Sequence, residues 1–180
     1  MNLQPEDILS FWRDAGPSLW WKKDDEFDAK ITANFSEIHA RASVGDLDHW
    51  AKLPNGALAL IIILDQFSRN MFRNDPRAFE QDERCRAIVK EAMNSGVDRQ
   101  VATDLSTFFY MPLMHSESLE DQKLCVQEMK RLGAKENIPH AIEHMEIIEK
   151  FGRFPHRNSV LGRETNSAEQ EFLDGGGFAG

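Results

Sequence analysis

From Gly56 to Leu64 the chain reads Gly-Ala-Leu-Ala-Leu-Ile-Ile-Ile-Leu, without one polar side chain, and the charged Asp65 closes the run. A helical membrane span needs about 20 apolar residues, so this run is too short to be one. A helix that is apolar on every side is surrounded by protein. The run therefore predicts a helix from Ala57 to Phe72 at the centre of the fold, with the other elements packed around it.

Those other elements also have helical spacing. Pro5-Glu-Asp-Ile opens a helix with proline and acids in its first turn, and Gly16-Pro17 ends it. From Asp24 to Ala42, Phe27, Ile31, Phe35 and Ile38 recur in steps of four, four and three, which is one helix face. Asp46 to Lys52 reads as a short helical piece holding Trp50, broken by Pro54-Asn55-Gly56. Asp75-Pro76 starts a helix that reaches Gly96, and Thr103 to Met111 forms a shorter one ended by Pro112. Ser118 caps a helix ending near Gly133, and Asn137 caps another ending at Phe151. Ser167-Ala-Glu-Gln170 has capping-box form and opens a last short helix. Residues 174–180 are a glycine-rich tail from which Phe178 can dock on the body. No segment alternates with period two between hairpin turns. The expectation is an all-α fold, a single helical domain over 1–180, built as a compact array of antiparallel helix pairs.

Composition removes several functions. A length of 180 residues suits one domain with a sizeable core. The net charge of −9 argues against general nucleic-acid binding, which needs a broad basic face. No segment suits a membrane, and the amino terminus lacks the basic start and apolar run of a secretory signal. Cys85 and Cys125 are the only cysteines, so neither a disulfide framework nor a four-cysteine zinc site can form, and a cytoplasmic location is expected. The sequence carries no signal for an assembly state.

Against the acidic background, Phe151 to Arg163 reverses the charge. It holds Arg153, His156, Arg157 and Arg163 and no Asp or Glu, with Gly152, Pro155 and Gly162 shaping its backbone. Guanidinium groups held still between apolar residues suit an anion or a carboxylate. They equally suit neutralising acidic helices and capping helix ends. Asp65, Gln66, Arg69 and Asn70 continue the apolar helix, with Asp65 and Arg69 in the favourable order for an ion pair four residues apart. Such a cluster either forms paired structural contacts or faces a cavity, because an unpaired buried charge costs several kcal/mol. His115-Ser116-Glu117 invites a nucleophile-and-base reading, but no nucleophile elbow surrounds the serine, and a capping role for Ser116 and Glu117 is the simpler one. His140-Ala-Ile-Glu-His144 matches an inverted zinc-peptidase pattern, which arises easily by chance over five residues.

Three motifs together resemble a known family: Leu64-Asp-Gln-Phe-Ser-Arg-Asn-Met-Phe-Arg73, Phe109-Tyr-Met-Pro-Leu-Met-His-Ser-Glu117, and Phe151-Gly-Arg-Phe-Pro-His-Arg-Asn158 with Leu161-Gly-Arg163. They are similar to an uncharacterised bacterial group, the domain-of-unknown-function nine-two-four family. The resemblance runs from Ile8-Leu-Ser-Phe-Trp12 to Phe172-Leu173. It implies a tetratricopeptide-like stack of helix pairs and no assigned reaction. It gives weight to His144 rather than His140. It leads to an expectation of Glu where this chain has Met114, which weakens a metal or acid/base role there.

Three functions follow. The first is binding of a small anionic ligand or a peptide carboxylate in a cleft lined by Arg69, Asn70, His115, Arg153, His156 and Arg157. The second is a hydrolase with His115 or His156 as general base, Glu117 or Asp65 as orienting acid, and Arg153 or Arg157 stabilising negative charge. The third is a protein-interaction scaffold in which these motifs are structural. No cofactor and no metal is assigned.

Overall fold

The structure is a computed structural model that describes residues 3–101 and 104–178. Met1, Asn2, Ala102, Thr103, Ala179 and Gly180 lie outside the described residues, and with them the amino-terminal start, the first residue of the helix expected from Thr103, and the tail's end. Among the described residues every regular element is helical, so the fold is all-α. The chain divides into two compact units, Met1–Arg73 with Arg77–Pro112, and Asn74–Pro76 with Leu113–Gly180.

The first unit is organised by the apolar run. Helices α1 (Pro5–Ala15), α2 (Pro17–Trp20) and α3 (Asp25–Ser43) precede it, and α4 (Pro54–Ile61), a π-helical stretch (Ile62–Phe67) and α5 (Ser68–Met71) carry it without a break. Every residue from Gly56 to Ser68 is buried, as a helix with no polar side requires. The face predicted on α3 is also buried: Phe27, Ile31, Phe35 and Ile38 are each at most 6% exposed. Burying a side chain of this size contributes about 1.5–3 kcal/mol, so these two helices supply much of the unit's core. Asp24 caps α3 by accepting from the Phe27 amide at 2.9 Å.

Several boundaries differ from the sequence reading for local reasons. Pro54 is the first residue of α4 rather than part of a break before it, because a proline there loses no helical hydrogen bond. The helix expected from Pro76 begins as a 3-10 turn, Pro76–Phe79, and only α6 (Asp82–Ser95) is α-helical. In that turn Arg77 lies over Phe72 and Phe79 lies under Arg69, at 4.5 and 5.7 Å from cation to ring centre. These contacts reward the tighter geometry. Ser106–Tyr110 is likewise a 3-10 turn, and Pro112 falls inside the short α7 (Met111–Met114) rather than ending a helix before it.

The second unit contains α8 (Leu119–Leu132), α9 (Asn137–Phe151) and α10 (Ser167–Asp174). The residues between α8 and α9 reverse the chain through Gly133, which has a left-handed φ of 67°. The two helices pack on one another as a hairpin. α10 has the expected capping box, but shifted by one residue: Asn166 accepts from the Glu169 amide, and Glu169 accepts from the Asn166 amide. The same shift occurs at α9, where Asn137 is the first helical residue and Glu136 holds the cap position.

The approach of α4 to the 3-10 turn at Asp48–Lys52 is close enough to test. A Cβ on Gly56 would lie 2.2 Å from the Trp50 carbonyl oxygen. Relief requires backbone movement beneath the central helix. Gly56→Ala is expected to destabilise the protein by about 2–3 kcal/mol, measured by urea unfolding.

Candidate functional site

In the first unit the polar cluster begins inside the π-helical stretch. A π turn widens a helix and commonly marks a functional or strained position. Side-chain donors reach three carbonyls here: Cys85 Sγ to Ile61 at 3.7 Å, Ser68 Oγ to Leu64 at 2.6 Å, and Arg69 Nη1 to Asp65 at 2.9 Å. Asp65 is fully buried. It pairs with Arg69 at 3.0 Å, and Arg69 Nη2 forks onto both oxygens of Asp82 at 3.0 and 3.2 Å. Burial works against the Arg69 charge, but Asp65 and Asp82 outweigh it and raise its pKa. Cys85 is driven the other way: burial, with Asp65 and Asp82, lifts its thiol well above the ordinary range, so it stays protonated. Asn70 donates to Asp28 Oδ1 at 2.7 Å, and Arg73 holds both oxygens of the same carboxylate at 2.6 and 2.8 Å. His39 Nε2 meets Ser68 Oγ at 2.8 Å, and burial lowers its pKa.

In the second unit the Phe151–Arg163 segment leaves α9 through Gly152 and forms a 3-10 turn at Pro155–Arg157. Two of its arginines meet carboxylates. Arg153 holds Glu169 through Nε and Nη2 at 2.6 and 2.9 Å, and also donates to the Glu164 carbonyl at 2.7 Å. Its hydrogen bonds hold the Glu169 carboxyl down at about 2. Arg163 forks onto Glu117 at 2.7 and 3.0 Å, while Glu117 also accepts from the Phe154 amide at 2.9 Å. Burial pushes the Glu117 carboxyl up, but Arg163, that amide and the charge of Arg157 outweigh it, and the net shift is downward. Ser116 Oγ donates to Asp121 at 2.7 Å and accepts from the Ser118 amide at 3.1 Å, just before α8, whose cap residue Ser118 makes no side-chain capping bond; Glu117, expected as a cap, is held by Arg163 and the Phe154 amide instead.

The remaining residues form a different kind of group. Arg157 is 6% exposed, and its guanidinium lies 4.5 Å from the centre of the Phe154 ring. His144 on α9 donates from Nδ1 to the His140 carbonyl at 2.8 Å. Its ring centre is 5.5 Å from Phe154 and 4.4 Å from Phe178. His156 lies 5.6 Å from Phe154 and 5.1 Å from Phe178, and its buried Nδ1 has no hydrogen-bond partner in the protein. Burial, then the fields of His115, Arg157 and His140, push His144 down to about 4, against the bond to the His140 carbonyl. Burial, then Arg157, His144 and His115, push His156 down to about 3, against the opposing field of Glu117. Three imidazoles and a guanidinium therefore act on one another in a half-buried aromatic setting.

Residues 8–177 match the family described as bacterial protein of unknown function, DUF924. The chain belongs to that family. It is also similar to a solved structure of a protein of unknown function from Agrobacterium tumefaciens, at 39% identity and a TM-score of 0.91, over 95% of this chain and 97% of the other. No curated protein matches it. A likeness of that extent carries the helical fold across, and neither description names an activity.

Within this DUF924 chain the residues expected at a site fall into two groups. Arg69, Asn70, Arg153 and Glu117 have their polar atoms engaged by groups of the protein. His115, His156 and Arg157 act on one another electrostatically, joined by His144 and by the Phe178 ring packed on His144 and His156, neither of which the sequence places in the expected cleft. Met114, where the family resemblance led to Glu, is buried, and its carbonyl accepts from Gln122 Nε2 at 2.6 Å. Among the described residues no group of three His, Cys, Asp or Glu is arranged to hold a metal ion. A groove of about 410 Å³ on the first unit, with Phe11, Phe35 and Ile38 between Asp7, Glu37 and Arg41, contains none of the expected site residues.

Two outcomes test these assignments. Asp65→Asn removes one carboxylate from a buried guanidinium and is expected to cost about 3 kcal/mol or more, read by urea unfolding. The two depressed imidazoles give the second. Unfolded, each takes up its proton near the ordinary value of 6.5; folded, they resist until about 4 and about 3. Between those limits the unfolded state binds more protons, so stability falls as pH drops below about 6.5. His156→Phe removes one of these groups and a buried nitrogen without a partner. Thermal unfolding is expected to show a flatter loss of Tm from pH 7 to pH 4, with Tm at pH 7 unchanged or higher.

Proposed function

We propose that the second unit binds a small anion, a carboxylate above all, at the buried Nδ1 of His156, in the field of Arg157 and with His115 and His144 acting on the same imidazole. The observation that carries this reading is the buried Nδ1 of His156, which finds no protein partner. Burial above all holds His144 and His156 neutral, and the charge of Arg157 adds to it. A buried polar atom in that condition lowers stability and calls for another reason to be there. A carboxylate beside Arg157 would supply an acceptor and reverse the local field. Arg69, Asn70 and Arg153 are left out of this site and assigned to the fold, since carboxylates of the protein already occupy their donors.

Two coarser expectations accompany the reading. The α8–α9 hairpin supports a tetratricopeptide-like arrangement. The buried thiols of Cys85 and Cys125, not joined in a disulfide, support a reducing, cytoplasmic setting. No helix among the described residues is long and apolar enough to cross a membrane.

The reading fixes a linkage. An anion placed at these imidazoles raises their pKa values, so binding takes up protons and tightens as pH falls. The charged and titratable groups that set this balance are Arg157, Glu117, His115 and His140. Acetate titrated by calorimetry at pH 7.5 and pH 5.5, in buffers of different ionisation enthalpy, is expected to bind more tightly at the lower pH with net proton uptake. At one hundred times its Kd it would stabilise the protein by about 2.7 kcal/mol, a rise in Tm of roughly 5–10 °C. Arg157→Lys, which keeps the charge and loses the planar fork, is expected to weaken binding by about tenfold. No acetate binding at either pH, or equal affinity in Arg157→Lys, removes the proposal.

A further inference from the structure

The groove of about 410 Å³ on the first unit lies between α1 and α3. Its volume is in the range of sites that take small organic molecules. Phe11 from α1, with Phe35 and Ile38 from α3, forms an apolar floor. The rings hold one another in place. Phe11 meets Phe35 edge to face at 4.7 Å and stacks on Phe27 at 5.7 Å, and Phe35 stacks on Phe67 at 4.9 Å. Lys30 also reaches over the Phe11 ring, at 5.5 Å. A floor fixed in this way needs no rearrangement to receive a ligand, which lowers the cost of binding. Charges of both signs stand at the rim: Asp7 on α1, and Glu37 and Arg41 on α3. Asp7 accepts from the Gln4 amide through Oδ2 at 2.7 Å, and a carboxylate has acceptor capacity for more. Glu37 and Arg41 stand four residues apart in the order that favours an ion pair. Among the described residues, neither side chain makes one.

We propose that this groove binds a free α-amino acid with an apolar side chain, the side chain on Phe11, Phe35 and Ile38, the carboxylate on Arg41, and the ammonium on Glu37 and Asp7. Charge complementarity selects this class. A guanidinium matches a carboxylate, and the two carboxylates accept from an ammonium. A ligand with a single charge answers one sign at the rim and sets itself against the other. An uncharged ligand displaces water from the rim and gives its charged groups nothing in return. The site is independent of the anion site proposed in the second unit.

Calorimetry at pH 7 compares L-phenylalanine with phenethylamine, which lacks its carboxylate, and with 3-phenylpropanoate, which lacks its ammonium. L-phenylalanine is expected to bind with a Kd on the order of 1 mM, and each single-charge analogue about fivefold more weakly. Arg41→Gln, at a half-buried surface position, is expected to bring L-phenylalanine down to the level of phenethylamine and to leave phenethylamine no weaker. Either analogue less than about twofold weaker than L-phenylalanine, an unchanged L-phenylalanine Kd in Arg41→Gln, or no binding of L-phenylalanine up to about 20 mM overturns the proposal. Nuclear magnetic resonance of the unaltered protein fixes the place independently of how well the variant folds. The amide signals around Phe11 on α1 and Ile38 on α3 are expected to move as L-phenylalanine saturates. Movement confined to the second unit would assign the ligand's carboxylate to the anion site there, overturning this proposal and leaving that one intact.

Discussion

The pairing of Arg69 with Asp65 and Asp82 is the interaction on which the first unit depends. A helix buried on all sides cannot end in a charged residue unless that charge is answered inside the protein. Asp65 is the first charge after the apolar run, and it is fully buried. The chain resolves this by widening the helix into a π turn, which aims Arg69 back at Asp65 while Asp82 arrives from α6. The break in the expected 76–96 helix belongs to the same solution. The 3-10 turn at Pro76–Phe79 sets a ring against Arg69, and α6 starts where its first residue, Asp82, meets the guanidinium. Removing the pair entirely in favour of apolar residues would be tolerated better than removing one member, since the cost lies in the stranded charge.

The second unit applies the same rule to Arg153 and Arg163. Arg153 and Arg163 each reach a carboxylate with two nitrogens. Arg157, three residues along the 3-10 turn from Phe154, lies on that aromatic face with imidazoles around it. Burial is the main cause of the depressed pKa values of His144 and His156, and the charge of Arg157 adds to it within a protein whose net charge is −9. A local basic site can operate inside an acidic envelope because screening confines distant surface charge to about a Debye length.

Much of the fold was legible because it depends on local pattern. The apolar run at Gly56–Leu64 and the spacing of Phe27, Ile31, Phe35 and Ile38 marked the buried faces, and Gly16, Gly96, Gly133 and Gly152 marked helix ends. The π turn was not legible, since Ile-Ile-Leu-Asp-Gln-Phe fits an α-helix equally well and only the distant Asp82 and Cys85 select the wider form. The proline errors at Pro54 and Pro112 share a cause: proline at a first turn and proline after a last turn look alike without knowing which side is helical. At the candidate site, the basic segment stood out against an acidic chain, but partners 46 residues apart, such as Glu117 and Arg163, leave no trace in spacing. His144 and Phe178 had weak signals, a histidine favoured by the family resemblance and an aromatic ending a glycine run. Neither pointed to the other.

A guanidinium forked onto a carboxylate adds to the fold and leaves few donors for anything else. The aromatic cluster around His144 and His156 works the other way. It keeps two imidazoles neutral at a cost that grows with acidity, buries a nitrogen of His156 without a protein partner, and is covered by a tail whose turn only glycine permits. Stability alone would favour apolar replacements at His144 and His156, because the surrounding rings and isoleucines already form a packed surface. An arrangement that stability does not favour, with a buried His156 nitrogen that the protein leaves unanswered, is the observation on which the proposed anion site rests.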